Sequence, residues 1–121
     1  ADNICGGYYA DWNPIPTIEN IHPNYNVVNL FAARGPEYPD RTAAPDGSLT
    51  FTPPYDAGDF RADVIAERSS DRKRSFALSV GGTDWGFEIP DRAFSERLLD
   101  SIKVIYEDVG GLDGLDWDIF K

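Results

Sequence analysis

The chain is poor in the residues that anchor several common chemistries. It holds one cysteine, Cys5, so no intramolecular disulfide forms and the redox compartment stays open. Between Ile4 and Gly6-Gly7-Tyr8-Tyr9, Cys5 reads as a buried structural thiol and not a reactive one. The one histidine, His22, precedes Pro23 in a turn-like stretch and reads as a loop residue. Without a Cys/His cluster, nothing supports a zinc site. Cations are scarce as well: 11 Lys and Arg stand against 21 Asp and Glu, a formal charge of −10. That balance argues against nucleic acid, whose phosphates need clustered Lys and Arg, and against anionic membrane surfaces. No apolar run approaches the ~20 residues of a membrane span. There is no internal repeat, no low-complexity linker and no leader-like run at Ala1, where a secreted protein in mature form would read the same.

What is present suits a globular chain. Hydrophobic residues make up 41% of 121, enough length and apolar content for one ordinary domain over 1–121. Short apolar runs at 4–9, 27–32 and 75–80 read as buried strands, and 112–119 reads as a fourth. Thr17 to Ile21 allows a turn or two of helix after Pro14 and Pro16. Asp59–Arg68 carries Phe60, Val64 and Ile65 at helical spacing. Ala93–Glu107 is the clearest helix: Phe94, Leu98, Ile102 and Ile105 form one stripe, Asp91 or Ser95 can cap it, and Gly110-Gly111 ends it. About 33–57 is a long loop insertion with five of the nine prolines and a tight Asp46-Gly47 pair. Within it, Ser48-Leu49-Thr50-Phe51-Thr52 alternates as an exposed β-arm would. Strands alternating with helices predict an α/β fold with parallel pairing and right-handed crossovers.

The densest chemistry lies in Asp113-Gly114-Leu115-Asp116-Trp117-Asp118-Ile119-Phe120. On a strand, Asp116, Asp118 and Phe120 share one face and Trp117 and Ile119 the other. Two carboxylates ~7 Å apart on one strand face suit a cleft, and repel unless a proton or hydrogen bonds intervene. A calcium loop of the Asp-x-Asp-x-Asp-Gly kind places its glycine sixth. Here Gly114 directly follows the first aspartate and large apolar residues fill the gaps.

This stretch resembles the active-site signature of glycoside hydrolase family 18, the chitinases and related endo-N-acetylglucosaminidases, which reads Asp-x-x-Asp-x-Asp-x-Glu on the fourth strand of a (β/α)8 barrel. Asp113, Asp116 and Asp118 match it, and Phe120 stands where the catalytic Glu belongs. Ser75-Phe76-Ala77-Leu78-Ser79-Val80-Gly81-Gly82 is similar to the family's third strand, which ends Ser-x-Gly-Gly, and Gly7-Tyr8-Tyr9-Ala10-Asp11-Trp12 to its first. The second strand departs from the pattern: Phe31 precedes Ala32, where the family usually places a small residue before an aromatic one.

The resemblance implies a partial (β/α)8 TIM barrel, its first four parallel strands, since a whole barrel takes ~250 residues. It implies substrate-assisted hydrolysis, in which the glycan's own acetamido oxygen attacks the anomeric carbon. Asp118 would orient that acetamido group, Asp116 would share a proton with Asp118, and Asp113 and Ser79 would support them. Tyr8 would bound the sugar site, with Ser79 close to it and Trp12 and Trp85 as stacking rings whose other reading is ordinary packing. No cofactor and no metal is called for. Phe120 cannot donate a proton, so the expectation is a domain that binds N-acetylglucosamine-containing glycans, or serves a structural role, without efficient turnover. The alternative is the amino-terminal half of an active chitinase. A half-barrel exposes apolar surface and an unpaired edge, so its partner is a missing carboxyl-terminal half or a second copy. Localisation stays open, with an extracellular or surface-exposed setting favoured.

Overall fold

The computed structural model describes residues 4–36, 44–70, 74–81 and 88–118. Four strands form: β1 (Gly6–Ala10), β2 (Val27–Ala33), β3 (Ser75–Gly81) and β4 (Gly114–Asp118). They pair in parallel in the order β1-β2-β3-β4. Helix α1 (Ala57–Ser69) joins β2 to β3, and α2 (Arg92–Val109) joins β3 to β4. The expected α/β arrangement of four parallel strands is thus observed. The β1–β2 connection holds only a 3₁₀ turn, Ile18–Asn20, because prolines interrupt the chain before it.

Alternation along β2 and β3 decides which face is covered. Val28, Leu30, Phe76, Leu78 and Val80 are buried and share one core with Phe60, Val64, Phe94, Leu98, Ile105 and Val109 of the helices. The other face carries Tyr8, Asn29 and Ala77 in one register row, then Ser79 and Asp116, then Gly81 and Asp118. Near the top of β2 the register slips between Leu30 and Ala33, so both of these enter the helix-side core. Such a bulge re-aims the intervening side chains. The Phe31–Ala32 peptide within it is cis.

Local signals fix the helix ends. Asp56 accepts from the Asp59 N–H at the start of α1, and Asp91 accepts from the Phe94 N–H at the start of α2. Gly110, at φ 92°, closes α2 in the left-handed conformation. The α2 stripe is as expected, continued by Val109. In α1 the pattern is corrected: Ile65 is 39% exposed, while Glu67 turns inward to face the buried Arg74.

Two other expectations are corrected. Cys5 is exposed: β1 begins one residue later and lies at the edge of the four-stranded sheet. Residues 48–52 are not an exposed arm. Leu49 enters the core and Phe51 packs against it, and among the described residues the pairing is an isolated antiparallel bridge between Arg34 and Thr50. This limb is strapped to α2: the Leu49 N–H donates to Ser101 Oγ at 2.9 Å, and Arg97 Nε donates to the Asp46 carbonyl. Gly47 (φ 96°) lies so close to α2 that a Cβ would collide with the Phe94 carbonyl. Gly47→Ala is therefore expected to cost at least about 1–3 kcal/mol, combining left-handed strain with a backbone clash. Urea unfolding checks it; an unchanged midpoint would mean that the limb is not seated on α2.

Candidate functional site

The site assembles at the carboxyl end of the strands, on the face away from the helices. Pairing of Ser79 with Asp116 puts a hydroxyl beside a carboxylate, and Ser79 Oγ donates to Asp116 Oδ2 at 2.7 Å. Ser79 is fully buried, so its hydroxyl serves Asp116. One step on, Asp118 pairs with Gly81. Trp117 shares the opposite face with Val80, and Ile119 lies outside the described residues.

Electrostatics couples the two aspartates. Burial pushes the Asp118 carboxyl up, and its hydrogen bond to Asp116 and that neighbour's negative charge push it further, to about 6. Below about pH 6 Asp118 can hold a proton and donate it to Asp116, which also accepts from Ser79. Tyr8 reaches toward the same place from β1. The Asp116 charge, then burial, then Asp118 and a hydrogen bond to Asp116 raise its phenol above the ordinary value.

A stability prediction follows from Asp118. Its folded value lies above the unfolded one, so the folded state binds the extra proton between about pH 4 and about pH 6. The contribution is complete below that window and is lost as pH rises through it. Urea midpoints should therefore fall from pH 4 to 6 more in the parent than in Asp118→Asn, which cannot titrate. Parallel profiles would mean that the two carboxyls do not share a proton.

Asp113 lies at the other end of β4. It accepts from Arg68 Nη2 at 2.9 Å and from the Phe76 N–H at 2.9 Å. Burial pushes its carboxyl up, but the Arg68 hydrogen bond, the Phe76 N–H and the Arg68 charge outweigh it and hold the group below the usual range. Its position ties β4 to β3 and α1, away from Asp116 and Asp118.

At the top of β1 and β2 an aromatic cluster forms. Phe31 meets Tyr8 edge-on at 5.7 Å between ring centroids and Trp12 edge-on at 6.1 Å. Tyr8 and Trp12 are 63% and 69% exposed, which leaves their rings open to a ligand. Of the candidate residues, the structure thus gathers Tyr8, Ser79, Asp116 and Asp118 on one face, with Trp12 at its rim and Asp113 elsewhere. Trp85 and Phe120 lie outside the described residues. Phe31 joins the site without being among those candidates, although its departure from the second-strand pattern is visible in the sequence.

No family profile matches the chain. Chitinase Chi52 from Paenibacillus xylanexedens is 28% identical over 118 residues, spanning 93% of this chain and 21% of the relative. A family 18 glycoside hydrolase chitinase from Chromobacterium violaceum superposes with a TM-score of 0.79 at 21% identity, covering 98% of this chain and 31% of that one. A chitinase A from Streptomyces coelicolor gives 0.75 at 21% identity, covering 94% and 39%. The chain therefore spans about a fifth of the curated relative and under two-fifths of these solved structures. At this level the likeness carries the fold: four parallel strands alternating with helices, as in part of a (β/α)8 barrel.

Proposed function

We propose that this chain is a chitinase-like segment that recognises N-acetylglucosamine-containing glycans and, with Phe120 in place of a glutamic acid, does not hydrolyse them efficiently. The observation that carries the reading is the Ser79–Asp116–Asp118 arrangement beside Tyr8 on the strand face away from the helices. A protonated Asp118 can donate to an acetamido carbonyl; an ionised Asp118 can accept from its N–H and steady the positive charge of a cyclised acetamido group. Either state favours an acetamido sugar over one with a plain hydroxyl. Nothing in this pair replaces a general acid placed on the leaving oxygen. Asp113 acts as a structural tie, and Trp12, with Trp85, supplies stacking surface.

Calorimetric titration with chitotetraose and cellotetraose tests recognition, and a fluorogenic chitobioside tests turnover. Binding of the acetamido oligomer alone, lost in Asp118→Ala, with no turnover, is the expected result. Equal binding of both oligomers, or of neither, would overturn the recognition, and robust hydrolysis would overturn the inactivity. In that case Asp118, with its raised carboxyl, would be the first proton donor to examine.

A second reading is favoured by coverage: this chain matches 21% of a chitinase. Under it, these strands are the amino-terminal part of an active glycosidase, and a carboxyl-terminal half supplies the remaining contacts. Sequencing the intact gene product around position 120 separates the two: glutamate there, followed by further strand-helix units, favours the enzyme.

A further inference from the structure

The β2 bulge and the strapped limb converge on one side chain that neither the strand pattern nor the carboxylates explain. Arg34 follows β2 directly. Its backbone is held from both sides by Thr50: the Arg34 N–H donates to the Thr50 carbonyl and the Thr50 N–H to the Arg34 carbonyl, each at 2.9 Å. Its side chain then turns back over the top of β1 and β2. Nη1 donates to Asp11 Oδ2 and, at 3.2 Å, to the Ala32 carbonyl. The guanidinium carbon lies 5.8 Å from the centroid of the Phe31 ring, above its face. Asp11 also accepts from the Ala32 N–H at 3.4 Å, so one carboxylate grips both the bulge and the cation.

This pair is well shielded. The side chains of Arg34 and Asp11 are 18% and 9% exposed, so their attraction is less screened than at an open surface. Phe31 thus has a cation on its face, with Tyr8 and Trp12 meeting it at interplanar angles of 89° and 85°. A ring fixed at its face by a cation and touched edge-on by two others has little freedom to rotate or withdraw. Tyr8 and Trp12 are the exposed members of the cluster.

We propose that Arg34, held by Asp11 and by the Thr50 bridge, is a positioning residue that sets an aromatic wall of Phe31, Tyr8 and Trp12 against which a sugar ring stacks. The inference rests on the glycan reading for its ligand, but the wall's geometry stands apart from it. The 44–56 limb gains a role as well, since its pairing with Arg34 fixes the arginine from which the wall is set. A flat, apolar sugar face suits such a wall, and the carboxylates beyond Tyr8 would meet the sugar's polar substituents.

The experiment reads the wall with and without ligand. The indole N–H resonance of Trp12 is assigned by Trp12→Phe and followed in the free chain, and chitotetraose affinity is measured by calorimetry. Arg34→Gln is expected to shift that resonance and to weaken binding roughly five- to tenfold, with the far-ultraviolet circular dichroism preserved. Arg34→Lys, which keeps the charge, should recover part of both. Phe31→Leu leaves the ion pair intact and removes the ring, so it should give the same two effects even if Arg34→Gln does not fold. An unmoved Trp12 resonance in Arg34→Gln or in Phe31→Leu overturns the positioning. If the resonance moves as expected but the parent chain binds no chito-oligosaccharide, the positioning holds and the glycan reading fails.

Discussion

In a complete barrel built on this chain, Phe120→Glu is expected to raise hydrolysis of a fluorogenic chitobioside by about 10²–10⁴-fold, the usual worth of general acid catalysis. The same substitution in the 121-residue chain alone should give little. The difference lies in what each context supplies. On a strand continuing β4, position 120 falls on the same face as Asp116 and Asp118, two residues beyond the latter. A carboxyl there would stand at the open end of the row, where a glycosidic oxygen could receive its proton. Phenylalanine has no proton to give, and an alkoxide leaves poorly without one. The acid also needs a dry, positioned substrate, and the chain covers only 31% to 39% of the solved chitinase structures it superposes on. A completed barrel with glutamate at 120 that stays inactive would shift attention to the top of β2. There Phe31 and Ala32 sit in a bulge beside Tyr8, and the aromatic wall would then be shaped for binding more than for turnover.

Much of the fold was legible because its signals are local or strictly periodic. The α2 stripe, the Asp91 cap, the Gly110-Gly111 stop and the apolar runs of β2 and β3 each follow from residues within a turn or a strand of one another. The facing of Asp116 and Asp118 was legible for the same reason: a period of two decides it once the helix side is known. What was hidden depends on partners distant in sequence. Leu49 and Phe51 alternate as an exposed arm would, and only contact with α2 and Phe60 shows that they are core. Cys5 has apolar neighbours in sequence, yet the strand starts after it and lies at an edge. Arg34 lies in no motif and Asp11 has no assigned role within the first-strand stretch; they meet because β1 and β2 are parallel neighbours and a bulge turns the chain between them. Arg74 and Glu67 were hidden in the same way, since a glutamate in the last turns of a helix and an arginine just before a strand read as solvated surface.

That hidden pair carries the largest stability effect expected. Arg74 is 2% exposed and Glu67 4%. Arg74 Nε donates to the Tyr25 carbonyl at 2.7 Å, Nη1 to Ile18 at 3.3 Å, and Nη2 to Ile21 and His22 at 3.1 and 2.9 Å. Glu67 faces it at 3.7 Å. One guanidinium therefore closes the 3₁₀ turn and the approach to β2, a segment with almost no regular structure of its own. Arg74→Met removes hydrogen bonds to four carbonyls, of which those of Ile18 and His22 keep a backbone N–H donor from Ile21 and Tyr25, and leaves Glu67 facing an apolar side chain. It is expected to cost about 3–5 kcal/mol, the range for removing one partner of a buried ion pair. Glu67→Leu added to Arg74→Met should return part of this, because the carboxylate's desolvation disappears, while the Tyr25 and Ile21 carbonyls still lack the arginine's N–H groups. Urea unfolding of the two single variants and the double variant measures the coupling. A loss below about 1 kcal/mol for Arg74→Met would mean that water or other donors satisfy the 18–25 segment. In that case the β1–β2 connection would be held by the Tyr9 hydroxyl, which donates to the Pro16 carbonyl at 2.6 Å, and by the Ile18 N–H, which donates to the Tyr55 hydroxyl at 3.0 Å.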